Sequence, residues 1–228
     1  MNKAFPMTVK AVMIDLDGTL LDTIPDLAAA ANMMRVEIGQ APLAEDLIRT
    51  FVGKGITNLV ERTLAGHMDG AVDVELRERG LEIYERCYSE VNGRHTTIYP
   101  GVVEGLAQLQ SQGFALACVT NKSERFTLPL LEMVGLAPYF EHVVAGDTLS
   151  RKKPDPDPLL YACGKLNVAP HEMLMVGDSL NDTIAARAAG CPVFCVTYGY
   201  NEGRDVRELD TDAIIDSLVE AAALIRRA

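Results

Sequence analysis

Two short acidic stretches hold most of the chemistry this chain could do. Asp15 and Asp17 stand in Asp15-Leu-Asp-Gly-Thr-Leu20, directly behind an apolar run. Residues two apart in an extended segment point to the same side, so both carboxylates can serve one site. Gly18 lets the chain turn sharply after them. Taken alone, the pair is also compatible with a solvated loop. Asp178 and Asp182, in Gly177-Asp-Ser-Leu-Asn-Asp182, form the second stretch. Asp178 sits at a strand tip and Asp182 one turn into the next helix. Helix capping by Asp178 or Ser179 accounts for one of these acids more easily than for both.

Acidic clusters that share one edge of a sheet repel each other unless something compensates. A hard divalent cation with oxygen ligands, Mg²⁺ ahead of the others, is the expected answer. Two further features suit a phosphate. Thr120-Asn121 offers a hydroxyl and helix-start N–H groups, and Lys153 stands before Pro154, which restrains the backbone that would aim the ammonium inward. A solvated lysine is the alternative for Lys153. No Walker A pattern occurs, and Gly53-Lys54-Gly55 is not a complete dinucleotide-binding fingerprint. His67, His95, His142 and His171 show no paired spacing and are expected to be surface or structural residues.

The elements that must position these residues alternate along the chain. Apolar runs at Val9–Asp15, Phe114–Thr120, His142–Gly146, Met173–Asp178, Pro192–Thr197 and, more weakly, Ala213–Asp216 read as buried strands separated by helical patterns. That rhythm predicts an α/β fold: a doubly wound, parallel-sheet, Rossmann-like core covered on both faces. Right-handed crossovers put all strand C-termini on one edge, where such sheets carry their sites. Between the first strand and a helix starting near Gly101 the rhythm breaks. Helical patterns at roughly 24–38, 43–51, 56–66 and 72–92 predict an all-helical insertion, with a core domain of 1–22 and 95–228 and a cap domain of 23–94.

Composition narrows the function further. The 228 residues are 48% hydrophobic and 23% charged, an ordinary globular balance without disorder or coiled-coil bias. No apolar run approaches the roughly 18–20 residues of a membrane span, and the start lacks a secretory apolar region, so a cytoplasmic location is expected. The net charge of −11 disfavours nucleic acid and anionic lipid as partners, and obliges an anionic substrate to find local cations. The five scattered cysteines (87, 118, 163, 191, 195) suggest buried thiols rather than a disulfide framework or a zinc site.

Asp15–Leu20 with Asp22-Thr23, then Thr120-Asn121, Lys153-Pro154 and Gly177-Asp178-Ser179 with Asn181-Asp182 resemble, in order, the four motifs of the haloacid dehalogenase-like hydrolase superfamily. The helical insertion is similar to that superfamily's cap. The resemblance implies that Asp15 is the nucleophile forming an aspartyl-phosphate, and that Asp17 is the general acid and then the base. It implies Mg²⁺ held by the Asp15 and Asp178 carboxylates and the Asp17 carbonyl, phosphate bound by Thr120, Asn121 and Lys153, and Asp182, with Ser179, acting behind them on Lys153 or a metal-bound water. The second aspartate, Asp17, is absent from dehalogenase and phosphonatase relatives, which leaves phosphatase or phosphomutase.

Longer stretches resemble the bacterial phosphoglycolate phosphatases: Val119–Phe126, Gly146–Leu149 with Lys152-Lys-Pro154, and Val196–Asn201. The implied reaction is Mg²⁺-dependent hydrolysis of 2-phosphoglycolate, with a small phosphorylated metabolite as partner in a monomer or homodimer. The alternatives keep the chemistry on a sugar phosphate (including an amino-sugar 6-phosphate) or pyrophosphate, or make the protein a β-phosphoglucomutase-like mutase. A binding protein without turnover is a further class. In the cap loop Val52-Gly-Lys-Gly55, Lys54 stands where the subgroup usually has Asn, and Leu180 where relatives often have a basic residue. Lys54 either strengthens carboxylate binding or is a solvated loop lysine. Tyr198 and Tyr200 either shape the pocket or pack on the core.

Overall fold

The structure, a computed structural model, describes residues 5–228; the first four residues of the expected core domain lie outside them. Among the described residues ten strands occur in chain order: β1 (Met7–Val9), β2 (Ala11–Ile14), β3 (Leu21–Asp22), β4 (Thr97–Ile98), β5 (Ala115–Val119), β6 (His142–Val144), β7 (Met173–Gly177), β8 (Val193–Val196), β9 (Ala213–Ile215) and β10 (Ile225–Arg227). The helices are α1 (Ile24–Ile38), α2 (Glu45–Phe51), α3 (Ile56–Ala65), α4 (Val74–Val91), α5 (Val102–Ser111), α6 (Glu124–Met133), α7 (Asp157–Leu166), α8 (Leu180–Ala189) and α9 (Leu218–Ala223).

Six strands form the central sheet in the order β6-β5-β2-β7-β8-β9, every neighbour parallel. Counted along the chain within this sheet, the order is third-second-first-fourth-fifth-sixth, the doubly wound arrangement expected from the alternating runs. The inner strands β2, β5, β7 and β8 are buried almost throughout, since successive side chains point to opposite faces and each face is covered, whereas the edge strands β6 and β9 are mostly half-buried. On β2, Val12 and Ile14 join Leu106, Leu109 and Leu218 in one layer, while Ala11 and Met13 join Leu159, Ala162 and Ala185 in the other. β5, β7 and β8 divide in the same way: Leu116, Leu174 and Phe194 lie on the first face and Ala117, Met175 and Cys195 on the second. The described cysteines are free and buried.

Helices α1–α4 follow one another between β3 and β4 and share their own apolar core of Ile24, Leu27, Met34, Ile48, Phe51, Val60, Tyr84 and Tyr88. The chain enters and leaves this bundle through an antiparallel pairing of Leu21 with Ile98 and Asp22 with Thr97. Two small pairings are additional to the sequence expectation, this one and the parallel β1–β10 pair. At two or three residues each they are too short to carry a periodic signal. Among the described residues, no helix is long and apolar enough to cross a membrane.

Candidate active site

Three adjacent strands end side by side, and each delivers a polar residue at its C-terminal tip. β2, at the centre, runs into Asp15; β5 runs into Thr120, Asn121 and Lys122; β7 runs into Asp178. Asp15 is pinned by donating its backbone N–H to the Val176 carbonyl at 2.9 Å. Its Oδ1 accepts the Leu16 N–H at 2.8 Å. The turn after Asp17 uses Gly18 at φ +89°, a conformation that favours glycine.

Lys153 arrives from the loop before α7 and is 2% exposed. Its Nζ lies 2.9 Å from Asp15 Oδ1 and donates to Asp182 Oδ1 and the Val119 carbonyl, both at 2.7 Å. Burial alone would lower the pKa of this ammonium, but Asp15 and Asp182 overcome that and hold it above the usual lysine range. Asp15 is pushed up to about 7, first by burial and then by repulsion from Asp182 and Asp17, against the pull of Lys153. Burial, followed by repulsion from Asp182 and Asp15, also pushes the Asp178 carboxyl well up.

Oxygen atoms of Asp15, Asp178 and Asp182 lie within 4.8 Å of one another, and all three residues are buried. An all-carboxylate donor set whose members repel one another fits a hard divalent cation such as Mg²⁺. Asp182 is the least suited of the three to touch the ion. Its Oδ1 is taken by Lys153, and its Oδ2 accepts the backbone N–H groups of Asp178 at 3.3 Å and Ser179 at 3.1 Å and the Ser179 hydroxyl at 2.8 Å. Asp178 has a single donor on each oxygen: Thr19 Oγ1 on Oδ1 at 3.0 Å and the Tyr200 N–H on Oδ2 at 2.5 Å. Gly199 packs so tightly here that a Cβ would overlap the side chain of Asp178.

Asp17 faces the same space from the other side. Thr23 Oγ1 donates to its Oδ1 at 2.8 Å, and Lys122 Nζ reaches its two oxygens at 3.0 and 3.2 Å. Asp15, Asp17, Thr120, Asn121, Lys122, Lys153, Asp178 and Ser179 form the floor of a cavity of about 50 Å³, which Leu27, Val52, Gly53, Gly55, Ile56 and Leu59 of the helical insertion roof over. The roof is fastened at Gly53, whose carbonyl accepts the side-chain amides of Asn121 at 3.0 Å and Asn181 at 3.2 Å. It is also fastened at Arg62, whose guanidinium meets Glu202 at 2.8 Å.

The structure thus brings together Asp15, Asp17, Thr120, Asn121, Lys153, Asp178, Ser179 and Asp182. Lys54 stands apart: half-exposed, with its Nζ 3.5 Å from Glu202, it is not among the residues lining the cavity. The two loop tyrosines divide the alternatives between them. Tyr200 lines the cavity and bonds Asp178, whereas Tyr198 packs its ring 4.3 Å from that of Tyr99 in the core. Lys122, Thr19, Thr23 and Asn181 also bond to residues of the site, contacts that the sequence reading did not assign. For Lys122, the only available signal was its place two residues after Thr120 at a strand end.

The haloacid dehalogenase-like hydrolase family model matches residues 9–190. A phosphoglycolate phosphatase of Nitrosospira multiformis is 60% identical over 98% of both chains, and one of Thiobacillus denitrificans is 53% identical over 99% of this chain and 100% of its own. Among solved structures, one described as a predicted phosphoglycolate phosphatase from Haemophilus somnus superposes with a TM-score of 0.88 at 33% identity, covering 93% of this chain and 96% of that one. The acidic strand ends, the buried lysine and the roofed cavity are therefore those of a hydrolase, and the chain belongs to the haloacid dehalogenase-like hydrolase family.

Proposed function

We propose that this enzyme is a Mg²⁺-dependent phosphatase that converts 2-phosphoglycolate to glycolate and phosphate through an aspartyl-phosphate. The substrate rests chiefly on one observation, the near-full-length 60% identity to a phosphoglycolate phosphatase. The closed site supports a small ester: the insertion roofs it over and is fastened to the sheet edge at Gly53. Residues 23–94 serve as the cap domain over a core of 1–22 and 95–228. The acidic surface supports a small metabolite as partner over nucleic acid or membrane.

In this mechanism Asp15 attacks phosphorus with a carboxylate oxygen while the ester P–O bond breaks. Asp17 gives its proton to the departing glycolate oxygen, then takes one from the water that attacks the phosphoryl group on Asp15. That second displacement breaks the P–O bond to Asp15 and releases phosphate. Lys153, Thr120 and Asn121 bind phosphoryl oxygens. Asn121 does so through its backbone, since its amide is engaged by the Gly53 and Lys153 carbonyls. The Asp15 and Asp178 carboxylates and the Asp17 carbonyl would hold Mg²⁺. Bound there, the ion supplies the charge that lets an anionic carboxylate approach an anionic phosphate. Asp182 orients Lys153, and the roof excludes bulk water.

The test is kcat/KM for 2-phosphoglycolate against glucose 6-phosphate and pyrophosphate, with Mg²⁺ and after EDTA. A preference of about 100-fold, equivalent to about 2.7 kcal/mol of transition-state discrimination, together with loss of turnover in EDTA, is expected. A flat profile or a preference for the sugar phosphate overturns the substrate.

A further inference from the structure

We propose that Lys122 is the residue that selects a carboxylate-bearing substrate, by placing its ammonium beside the leaving group. The inference rests on the phosphoglycolate reading above and names the residue that would produce that preference. Two cationic side chains line the cavity among the described residues, Lys153 and Lys122. Lys153 serves the nucleophile side: its ammonium sits among Asp15, Asp182 and the Val119 carbonyl, within 2.9 Å of each. Lys54, the cation that the loop sequence offered, points to Glu202 instead.

Lys122 is differently placed. It is 5% exposed, and its backbone is held on both sides: its N–H donates to Thr120 Oγ1 at 3.2 Å and its carbonyl accepts the Gly146 N–H at 2.8 Å. The ammonium is therefore presented from a rigid turn at the end of β5. It meets the two Asp17 oxygens on one side, and on another the ring of Tyr88, from α4 of the insertion, with its centroid 4.9 Å away. A tyrosine face accepts a cation without neutralising it, so Asp17 is the one carboxylate paired with this ammonium among the described residues. Asp17 is also the group that protonates the leaving oxygen. In a glycolate leaving group, the carboxylate is one methylene beyond that oxygen. An ammonium in contact with Asp17 is thus adjacent to that carboxylate, and the closed site excludes the water that would otherwise screen the pair.

The experiment compares 2-phosphoglycolate with ethyl phosphate, which has the same phosphate and two-carbon length but no carboxylate. It uses purified wild type, Lys122→Met and Lys122→Gln with saturating Mg²⁺. Loss of the Asp17 partner lowers kcat for both esters alike; the ratio of the two kcat/KM values isolates the carboxylate. Both variants are expected to lose about 10–100-fold of the wild-type preference, chiefly through KM for 2-phosphoglycolate, and Lys122→Arg to restore part of it. Preference unchanged within about 3-fold in folded variants overturns the proposal and transfers carboxylate reading to the backbone around Gly53 and Gly55. A wild type without preference for 2-phosphoglycolate overturns the substrate reading itself, a result distinct from failure at Lys122. Circular dichroism establishes folding. If the methionine variant does not fold, the glutamine variant carries the comparison, since it retains a donor to Asp17.

Discussion

Asp15 and Asp182 show how one residue type takes different roles through its neighbours. Both contact Lys153, but Asp182 is saturated by four donors, whereas Asp15 has one N–H donor and the shared lysine. Asp182 is thereby fixed as a support, and Asp15 retains free lone pairs at the cavity. Asp15→Asn keeps shape and volume and removes the nucleophile. It is expected to lower kcat by at least about 10³-fold while Tm stays within about 3 °C of wild type, checked by steady-state assay and thermal melt. Substantial residual turnover in that variant would rule out the covalent route through Asp15.

At the scale of elements, the join between the helical insertion and the sheet is built around a further buried carboxylate, outside the cavity. Asp26, in the first turn of α1, accepts the N–H groups of Gly93 at 2.9 Å, His95 at 2.9 Å and Thr96 at 3.0 Å, and the Thr96 hydroxyl at 2.7 Å. It thereby ties the start of the insertion to its exit, next to the β3–β4 pairing. Asp26→Ala strands these donors in a buried place and is expected to cost about 2–4 kcal/mol in urea unfolding. Asp26→Asn, which still accepts through one oxygen, should cost less. An alanine variant as stable as wild type would mean that the β3–β4 pairing alone fastens the join.

For the whole molecule, folding buries a small part of the acidic surplus at one edge of the sheet, where the carboxylates repel one another. Asp15 is pushed up to about 7 from 3.8, and Asp178 rises in the same direction, chiefly because folding buries them. The native state therefore holds more protons than the unfolded chain between about pH 4 and 7. The stability these groups contribute is present below the unfolded value and is lost as pH rises through the folded one. A divalent cation competes with those protons, so it binds better at high pH. Thermal melts in EDTA and in Mg²⁺ at pH 5 and pH 8 test this. The rise in Tm caused by Mg²⁺ is expected to be larger at pH 8 by at least about 4 °C, equivalent to about 1–2 kcal/mol for a chain of this size. Equal shifts at both pH values would show that the cation does not displace protons from this cluster.

The sequence by itself determined the sheet, the interrupting helices and most of the polar residues at the strand ends. Each is a local pattern: an apolar run buried on both faces, a helical period, an acid just past a strand. Asp15, Thr120 and Asp178 were legible because parallel order places every such tip on one edge. Only the tertiary structure decided what met across that edge. Lys122 pairs with Asp17 from 105 residues away, Asn121 and Asn181 hold the Gly53 carbonyl, and Lys54 turns from the cavity to Glu202. A lysine's four-carbon stem reaches in many directions, and its residue type does not say which carboxylate it finds. That choice depends on how the insertion settles on the sheet, a packing outcome that no local spacing encodes.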